Sequence, residues 1–314
     1  MALWEHLGEY EGLPVFEFGP ERLDDGAAEL PEPPPAGDVA WRLSSGHAET
    51  AFRDLWRAFC ASVDTTEVTA LVFGYWGADY DSHFEYPVPL LAEAAAAFPK
   101  LRSVFLGDIT SEESEISWID HRDLTPIFRE FPNLEHLEVR GADGLVMDPV
   151  EHSSLRLLRF ESGGLPAQVV RAVAASDLPE LVQLDLWFGE EYYGGDATAA
   201  DLAPILSGER LPALLHLGLE DARIQDEIAE AVAGAPIVAR LATLSLAMGA
   251  LTDRGAEALL SGQPLTHLEE LDLRHHYLSE SMMERVRDGL PGVLIDLTDR
   301  QEPYEGEFFI QVSE

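Results

Sequence analysis

Two adjacent histidines near the carboxyl end of the chain are best placed by residue type to do chemistry. His275 and His276 lie three and four residues after Asp272, in the stretch LTHLEELDLRHHYLSE that starts at residue 265. Imidazole is a common metal ligand and a general acid–base group near neutral pH. Adjacent side chains on an extended segment point to opposite faces, so both rarely hold one ion. We therefore favour rim contacts over metal binding or catalysis. Asp272 or Asp296 would orient a histidine that did act chemically.

The common catalytic and cofactor motifs are absent from the sequence. It contains no GxxxxGK[ST], GxGxxG, HExxH or GxSxG segment. Its single cysteine, Cys60, excludes paired-cysteine metal sites and internal disulfides. Because the chain has 58 acidic residues, pairs of neighbouring carboxylates carry little information about catalysis. We predict no catalytic residues, no cofactor and no metal.

The net charge of the chain limits its partners. The sequence has 20 Lys and Arg against 58 Asp and Glu, which gives a formal net charge of −38. Direct binding of nucleic acid and of anionic membranes is disfavoured, because both depend on basic residues. A protein or peptide that carries Arg and Lys suits this charge. The first residues contain no basic and apolar leader, and no run of about 18 apolar residues follows. We therefore expect a soluble, cytoplasmic protein.

A short apolar pattern recurs along most of the chain. Eight segments follow the spacing LxxLxL, and they start at positions 68, 101, 134, 155, 181, 214, 241 and 268. VLIDL at 293–297 is a candidate ninth. Alternation within each segment predicts a short strand, and the amphipathic stretches between segments predict helices. We expect Asp226, Thr252 and Ser279 to cap three of these helices at their amino ends.

One strand and one helix in each of these intervals is typical of a leucine-rich repeat, and the chain resembles that class. LSLAMGALTDRGAEALLSG at 244–262 is similar to the long ribonuclease-inhibitor type of repeat. Segments such as GLPVFEF and GGLPAQVV also resemble a bacterial family to which no activity is assigned. The resemblance implies an α/β leucine-rich-repeat solenoid of about 8–9 repeats, a horseshoe with parallel strands on its concave face and helices on its convex face.

The repeat pattern departs from the leucine-rich-repeat family at one position. That family has Asn or Cys three residues after the LxL pair, where the side chain bonds to the backbone of the strand ends. This chain has Gly189, Ala222, Gly249 and His276 there. With a single asparagine in the whole sequence, a continuous asparagine ladder is excluded.

Three regions follow from the extent of the repeats. Residues 1–62 form an amino-terminal capping region, with GLPVFEF as a candidate capping strand, a proline-rich linker at about 29–38 and an amphipathic helix over 44–62. Residues 63–297 form the repeat array, which needs such caps because exposed terminal cores are insoluble. Residues 298–314 form a carboxyl-terminal cap or an acidic tail that packs Phe308, Phe309 and Ile310.

Side chains that the repeat does not require make up the candidate binding site. They occupy outward strand positions and three long inserts that follow strands, and these inserts should gather at one edge of a parallel sheet. Exposed Trp and Tyr among polar residues are typical of protein-binding hot spots. The alternative is that these aromatics pack the inserts onto the rim. The predicted binding residues are Trp76, Tyr80, Phe105, Asp108, Trp118, Arg140, Asp185, Trp187, Tyr192, Tyr193, Asp272, Arg274, His275 and His276.

We accordingly expect a non-enzymatic scaffold that binds a protein or peptide with its concave face and an aromatic, acidic loop edge. Two alternatives stay open. One is an enzyme or enzyme accessory subunit that holds a small molecule on the loop edge near Asp79, Asp108 and His275. The other is an acidic mimic of nucleic acid, whose binding would weaken steeply with salt.

Overall fold

The computed structural model describes residues 4–19, 33–46, 51–77 and 85–314. Two compact units divide the chain, one at Met1–Val146 and the other at Met147–Glu314. In the described residues, strands alternate with helices along most of each unit. Within the described ranges, no helix is long and apolar enough to cross a membrane.

The strands of the first unit lie side by side in chain order. In the described residues they are β1 (Glu9–Tyr10), β2 (Leu13–Phe18), β3 (Ala40–Leu43), β4 (Ala70–Phe73), β5 (Ser103–Leu106) and β6 (His136–Arg140). β1 and β2 form an antiparallel hairpin, whereas each later pair from β2 to β6 is parallel. The helices of this unit are α1 (Phe52–Ser62), α2 (Pro87–Glu93) and α3 (Thr125–Glu130).

The second unit repeats this arrangement with parallel pairs throughout. Its strands are β7 (Leu157–Glu161), β8 (Gln183–Gly189), β9 (His216–Ala222), β10 (Thr243–Ser245), β11 (Glu270–Asp272) and β12 (Leu294–Asp296). Its helices are α4 (Ala167–Ala175), α5 (Ala203–Ser207), α6 (Gln225–Val232), α7 (Asp253–Ser261) and α8 (Glu280–Gly289).

Each predicted LxxLxL segment contains a strand, and VLIDL contains β12. The strand register places Leu184, Leu217, Leu244 and Leu271 in one row, and each of them is at most 2% exposed. Burying one such side chain contributes about 1.5–3 kcal/mol, and neighbouring strands complete the burial of each leucine. The expected alternation of parallel strands and helices is confirmed.

Carboxylates on α6 and α7 join consecutive strand–helix units of the second unit. Asp226 was expected to cap α6, but that helix begins one residue earlier and its capping position is Ile224. The Asp226 carboxylate instead accepts hydrogen bonds from the backbone N–H and the hydroxyl of Thr252, at 2.8 and 2.6 Å. Asp253 accepts the same pair from Ser279. Thr252 and Ser279 cap α7 and α8 as expected, because their hydroxyls accept from backbone N–H groups of the following turn.

A buried glutamine makes some of the side-chain hydrogen bonds to backbone groups that an asparagine ladder would make. The Gln225 side chain donates to the carbonyl of Leu219 at 2.8 Å and accepts from the N–H of Ala222 at 3.3 Å. Gly249 makes room for it, because a Cβ there would lie 2.2 Å from Gln225 Oε1. His276 Nε2 donates to the carbonyl of Leu297 at 3.2 Å. Different side chains therefore satisfy successive strand ends.

The last strands of the second unit end in left-handed residues that are not glycine. Asp221 lies at the end of β9, and Met248 and His275 follow β10 and β11; the three are equally spaced along the chain, with φ of 53°, 69° and 53°. Asp299 follows β12 with φ of 58°. Such conformations cost side chains other than glycine on the order of 1–3 kcal/mol, so neighbouring contacts must hold them in place.

The amino-terminal region contains two strands that the sequence did not predict, β1 and β3. β3 pairs in parallel with β2 and with β4, so strand pairing extends ahead of the first LxxLxL segment. GLPVFEF contains β2, as expected. The helix expected over 44–62 begins at Phe52, and residues 47–50 lie outside the described ranges. Residues 29–32 of the proline-rich linker also lie outside them, whereas residues 33–38 are described and form neither helix nor strand, as expected.

Candidate protein-binding surface

The outward strand face of the first unit, opposite its leucine core, is covered by the amino-terminal hairpin. Phe105 is 1% exposed because the Tyr10 ring stands edge-on to it, with centroids 5.9 Å apart. Ala40, Ala70 and Val72 complete this cluster. The strand alternation correctly predicted that Phe105 points away from the leucines, but its side chain offers no surface to a partner. Apolar residues at the neighbouring outward positions were the available signal that this face needs a cover.

Asp108 takes part in a buried ion pair beneath the same segment. Its Oδ2 lies 2.7 Å from Nε of Arg42, its Oδ1 accepts the N–H of Leu7 at 3.2 Å, and its side chain is 0% exposed. His6 Nδ1 approaches Asp108 Oδ2 to 3.6 Å from the solvent side. A carboxylate in this position ties the amino-terminal segment to the sheet and offers no opening to a small molecule. Asp79, the other acid proposed near it, lies outside the described residues.

Trp76, one of the predicted aromatics of the first unit, is packed into its rim. Trp76 is 1% exposed and contacts the rings of Tyr86 and His121, at centroid distances of 6.1 and 5.3 Å. Burial lowers the pKa of His121 to about 4, and its Nε2 donates to the carbonyl of Arg140 at 2.9 Å. Trp118 is half-buried.

Arg140 and Tyr80 complete the predicted set in the first unit. The Arg140 side chain is buried, and its guanidinium carbon lies 5.3 Å from the ring centroid of Phe105. A cation over an aromatic face stabilises both side chains where water is excluded. Tyr80 lies outside the described residues. Trp76 therefore packs the insert onto the rim, whereas Trp118 is partly accessible to solvent.

The second unit holds a group of acids on its outward strand face, which we call the carboxylate cluster: Asp185 on β8, Glu220 on β9 and Asp272 on β11. Glu220 accepts a hydrogen bond from Trp187 Nε1 at 2.8 Å and another from the Ser245 hydroxyl. Burial and, after it, the charge of Asp185 raise the pKa of Glu220 to about 7, although these hydrogen bonds oppose the change. Burial also raises the pKa of Asp272.

Two arginines lie beside the carboxylate cluster. Arg159 reaches Asp185 at 2.9 Å, and Gln183 donates to the same carboxylate oxygen at 2.7 Å. Arg274 approaches Asp272 at 3.5 Å with its side chain 41% exposed. Burial and neighbouring acids disfavour the ionised form of Glu220. The outward face of this unit therefore carries more carboxylate than guanidinium charge.

The solvent-accessible part of this outward face lies on the last two strands, β11 and β12. Leu294 on β12 is 66% exposed and pairs in register with Glu270 on β11. Asp272 pairs in register with Asp296, and all three acids are half-buried. An exposed apolar side chain beside three acids suits a partner that presents both an apolar and a basic group.

The aromatic side chains at the end of β8 and in the insert that follows it differ in exposure. Trp187 is 6% exposed, whereas Tyr192 is 82% exposed with its ring edge-on to that of Tyr193. The Tyr193 hydroxyl donates to the Glu314 carboxylate. A cavity of about 460 Å³ lies along this insert and includes Tyr192 and Arg223 in its lining. Tyr192 is thus the predicted aromatic of this unit that is available to a partner.

The two adjacent histidines make different contacts, although His275 has a left-handed φ of 53° and the segment is not extended as predicted. His276 is 0% exposed, accepts the N–H of Leu278 at 3.0 Å through Nδ1, and has its pKa lowered by burial. His275 Nδ1 pairs with Asp299 at 3.1 Å, so neither Asp272 nor Asp296 orients it. Among the described residues, no group of three His, Cys, Asp or Glu is arranged to hold a metal ion.

The carboxyl-terminal tail, residues 307–314, lies across the strand ends of the second unit. Gln311 N–H donates to the carbonyl of Met248 at 2.8 Å, and Val312 N–H donates to Asp221 Oδ1 at 3.0 Å. His275 Nε2 donates to the carbonyl of Phe309 at 3.2 Å. Sequence reasoning predicted a cap or an acidic tail here but not which residues receive it. The predicted rim residue His275 thus already contacts the chain itself.

The comparisons with known proteins found one class of match. Neither protein-family models nor curated proteins match the chain. Among solved structures, the crystal structure of a Bacteroides fragilis protein is similar, with 30% sequence identity and a TM-score of 0.76. The match covers 86% of this chain and 77% of that one. With this identity over most of both chains, the protein belongs to the same α/β family as that Bacteroides fragilis protein.

Proposed function

We propose that the protein is a leucine-rich-repeat scaffold without catalytic activity, which binds a protein or peptide bearing Arg and Lys on the outward strand face of its second unit. The recurrence of strand–helix units along the chain and the rows of buried leucines support the repeat assignment. The observation that carries the binding assignment is the carboxylate cluster, in which burial and like charges raise the pKa of Glu220 to about 7.

A partner's guanidinium or ammonium group near this cluster would stabilise ionised Glu220 and Asp272. Opposite charge within about 4–6 Å favours the ionised carboxylate and offsets the penalty that burial imposes. Leu294 on β12 and Tyr192 in the insert after β8 are exposed by 66% and 82% and would add apolar contacts. Charge complementarity of this kind raises association rates and selects partners by the sign of their charge.

Three substitutions on β11 and β12 test this assignment. Glu270→Gln, Asp272→Asn and Asp296→Asn remove three charges from the accessible part of the face and keep the side-chain shapes. We expect the combined variant to lose capture of the partner from the native cell. Once the partner is identified, we expect the Kd of its complex with this variant to be higher by about tenfold or more, because each lost charge pair across an interface contributes on the order of 1 kcal/mol.

The control removes the same number of charges from another face. Glu280→Gln, Glu284→Gln and Asp288→Asn lie on α8, where all three side chains are exposed. This variant should retain the partner with an unchanged Kd. An equal loss in both variants would mean that net charge alone attracts the partner. Full retention in the β11–β12 variant would remove the face from the binding site.

A further inference from the structure

The tail contacts three consecutive strand ends, and each strand end contributes one polar group. Asp221 accepts from Val312, Met248 accepts from Gln311, and His275 donates to Phe309. The tail therefore crosses the ends of β9, β10 and β11 one after another. These three strand-end residues are three of the four non-glycine residues with left-handed φ described above. Strained residues that converge on one segment are typical of a built site.

Asp221 makes this edge unusual. Its side chain is 0% exposed, and its Oδ2 has no hydrogen-bond partner among the described residues. Burial raises the pKa of Asp221 well above its ordinary value, and the N–H groups of Val312 and Gln311 partly oppose that change. A buried carboxyl group with an open oxygen can accept a further hydrogen bond when ionised, or donate its O–H when protonated, to whatever segment lies on it.

The tail is recognised as an extended peptide would be. Ile310 and Val312 are 7% and 8% exposed, whereas Gln311 between them is exposed. Backbone hydrogen bonds to the strand ends and apolar side chains two residues apart are the elements of extended-peptide recognition. Nothing in these contacts depends on Gln311 beyond its backbone N–H, which any residue other than proline supplies.

The charge of the tail is only partly matched by its surroundings, since Glu314 accepts from the Tyr193 hydroxyl and Glu307 shares its arginine with another acid. Glu307 and Glu314 lie at its two ends, in a unit where Glu190 acts on Asp221 and Asp299 pairs with His275. Arg223 approaches Glu307 at 3.5 Å and Glu190 at 4.0 Å, so one cation serves two acids. A peptide with the same apolar spacing and basic ends would bind this edge more favourably than the tail does.

We propose that Asp221, Met248 and His275 form a binding site for an extended peptide with two apolar side chains two residues apart and basic flanking residues, and that residues 307–314 occupy this site until such a peptide displaces them. This site lies at the strand ends and does not rest on the function proposed for the strand face. Either assignment can fail without the other.

The test uses a fluorescein-labelled peptide, KGKFFIQVSK, which keeps the apolar spacing of the tail and replaces its acids with lysine. Fluorescence anisotropy would measure its binding to the full chain and to a full-length variant with Ile310→Ser and Val312→Ser. The variant holds its own tail less tightly, so we expect its Kd for the peptide to be lower by about tenfold or more. The acidic version of the peptide, EGEFFIQVSE, should bind at least about threefold more weakly to the same variant.

Hydrogen exchange on the unaltered chain provides a second measurement that no substitution can disturb. The N–H groups of Gln311 and Val312 are bonded to the strand ends, so saturating peptide should accelerate their exchange by displacing the tail. A peptide with serine at both apolar positions should leave that exchange unchanged. The proposal is overturned if the tail variant does not bind KGKFFIQVSK, if both chains bind it equally, or if saturation leaves the two amides protected.

Discussion

Replacing Glu220 with glutamine should change how the stability of the protein depends on pH. Glu220 is 8% exposed, and its carboxylate accepts from Trp187 and Ser245. In Glu220→Gln the amide oxygen can still accept from the indole N–H, and the amide nitrogen can donate to the serine hydroxyl. The substitution therefore removes the titration of this position and retains its hydrogen bonds.

The magnitude follows from the pKa of the folded state. Burial and the charge of Asp185 raise the pKa of Glu220 from 4.5 to about 7, which corresponds to about 3 kcal/mol at 1.36 kcal/mol per pKa unit. Because the folded pKa lies above the unfolded one, the folded chain holds the proton more tightly. The contribution of Glu220 to the free energy of unfolding is full below pH 4.5 and is lost as the pH rises through 7.

We expect the two proteins to differ little in stability at pH 4 and Glu220→Gln to be more stable by about 3 kcal/mol at pH 8. Urea unfolding followed by circular dichroism at several pH values would measure this difference. The proton chemical shift of the Trp187 indole N–H gives a local readout, because that group donates directly to Glu220. In the unaltered protein the shift should titrate with a midpoint near 7, and in the variant it should not.

A control separates this effect from the general removal of negative charge. The exposed Glu257 pairs with Arg285 at 2.6 Å, and this hydrogen bond lowers its pKa. Its contribution to stability is therefore present above its unfolded pKa and lost as the pH falls, so Glu257→Gln should slightly destabilise the protein at pH 8. Parallel pH profiles for Glu220→Gln and the unaltered protein would refute the reasoning about Glu220.

Three further substitutions test packing, each by urea unfolding. Gly249→Ala places a methyl group 2.2 Å from Gln225 Oε1 and should cost about 1–3 kcal/mol, because the displaced amide leaves backbone groups unpaired; unchanged stability would mean that the amide is dispensable. Arg42→Met leaves the buried carboxylate of Asp108 without its cation and should cost about 3–5 kcal/mol; a loss below about 0.5 kcal/mol, as at an ordinary surface position, would contradict the buried pair. Phe105→Ala should cost about 3–5 kcal/mol, as for other buried aromatics; a surface-like response would restore it as a candidate contact.

The strands and helices of the repeats were predictable because their signal is local and periodic. Segments such as LVQLDL and LEELDL contain strands at the expected positions, with Leu184 and Leu271 buried. β3 was missed because AWRL departs from the LxxLxL spacing, and its place beside β2 and β4 depends on pairing with distant segments. Periodicity identifies repeated units but does not predict irregular ones.

The candidate site was predicted less completely than the fold. Asp185, Asp272 and Arg274 lie together on the outward strand face of the second unit, and Tyr192 is exposed beside a cavity. Asp221 was not predicted, because in the sequence it is one acid among 58. Asp221 is singled out by its left-handed backbone and its contact with Val312, and the local sequence predicts neither of them.

The sequence by itself determined which side chains face the leucine core and which face outward, since alternation along a strand is a local property of the backbone. The tertiary structure alone decided which outward side chains reach solvent. Phe105 lies under Tyr10, and His275 receives the tail, through contacts between segments far apart in the chain. Burial of an outward residue depends on such long-range packing, whereas its orientation is set by its immediate neighbours.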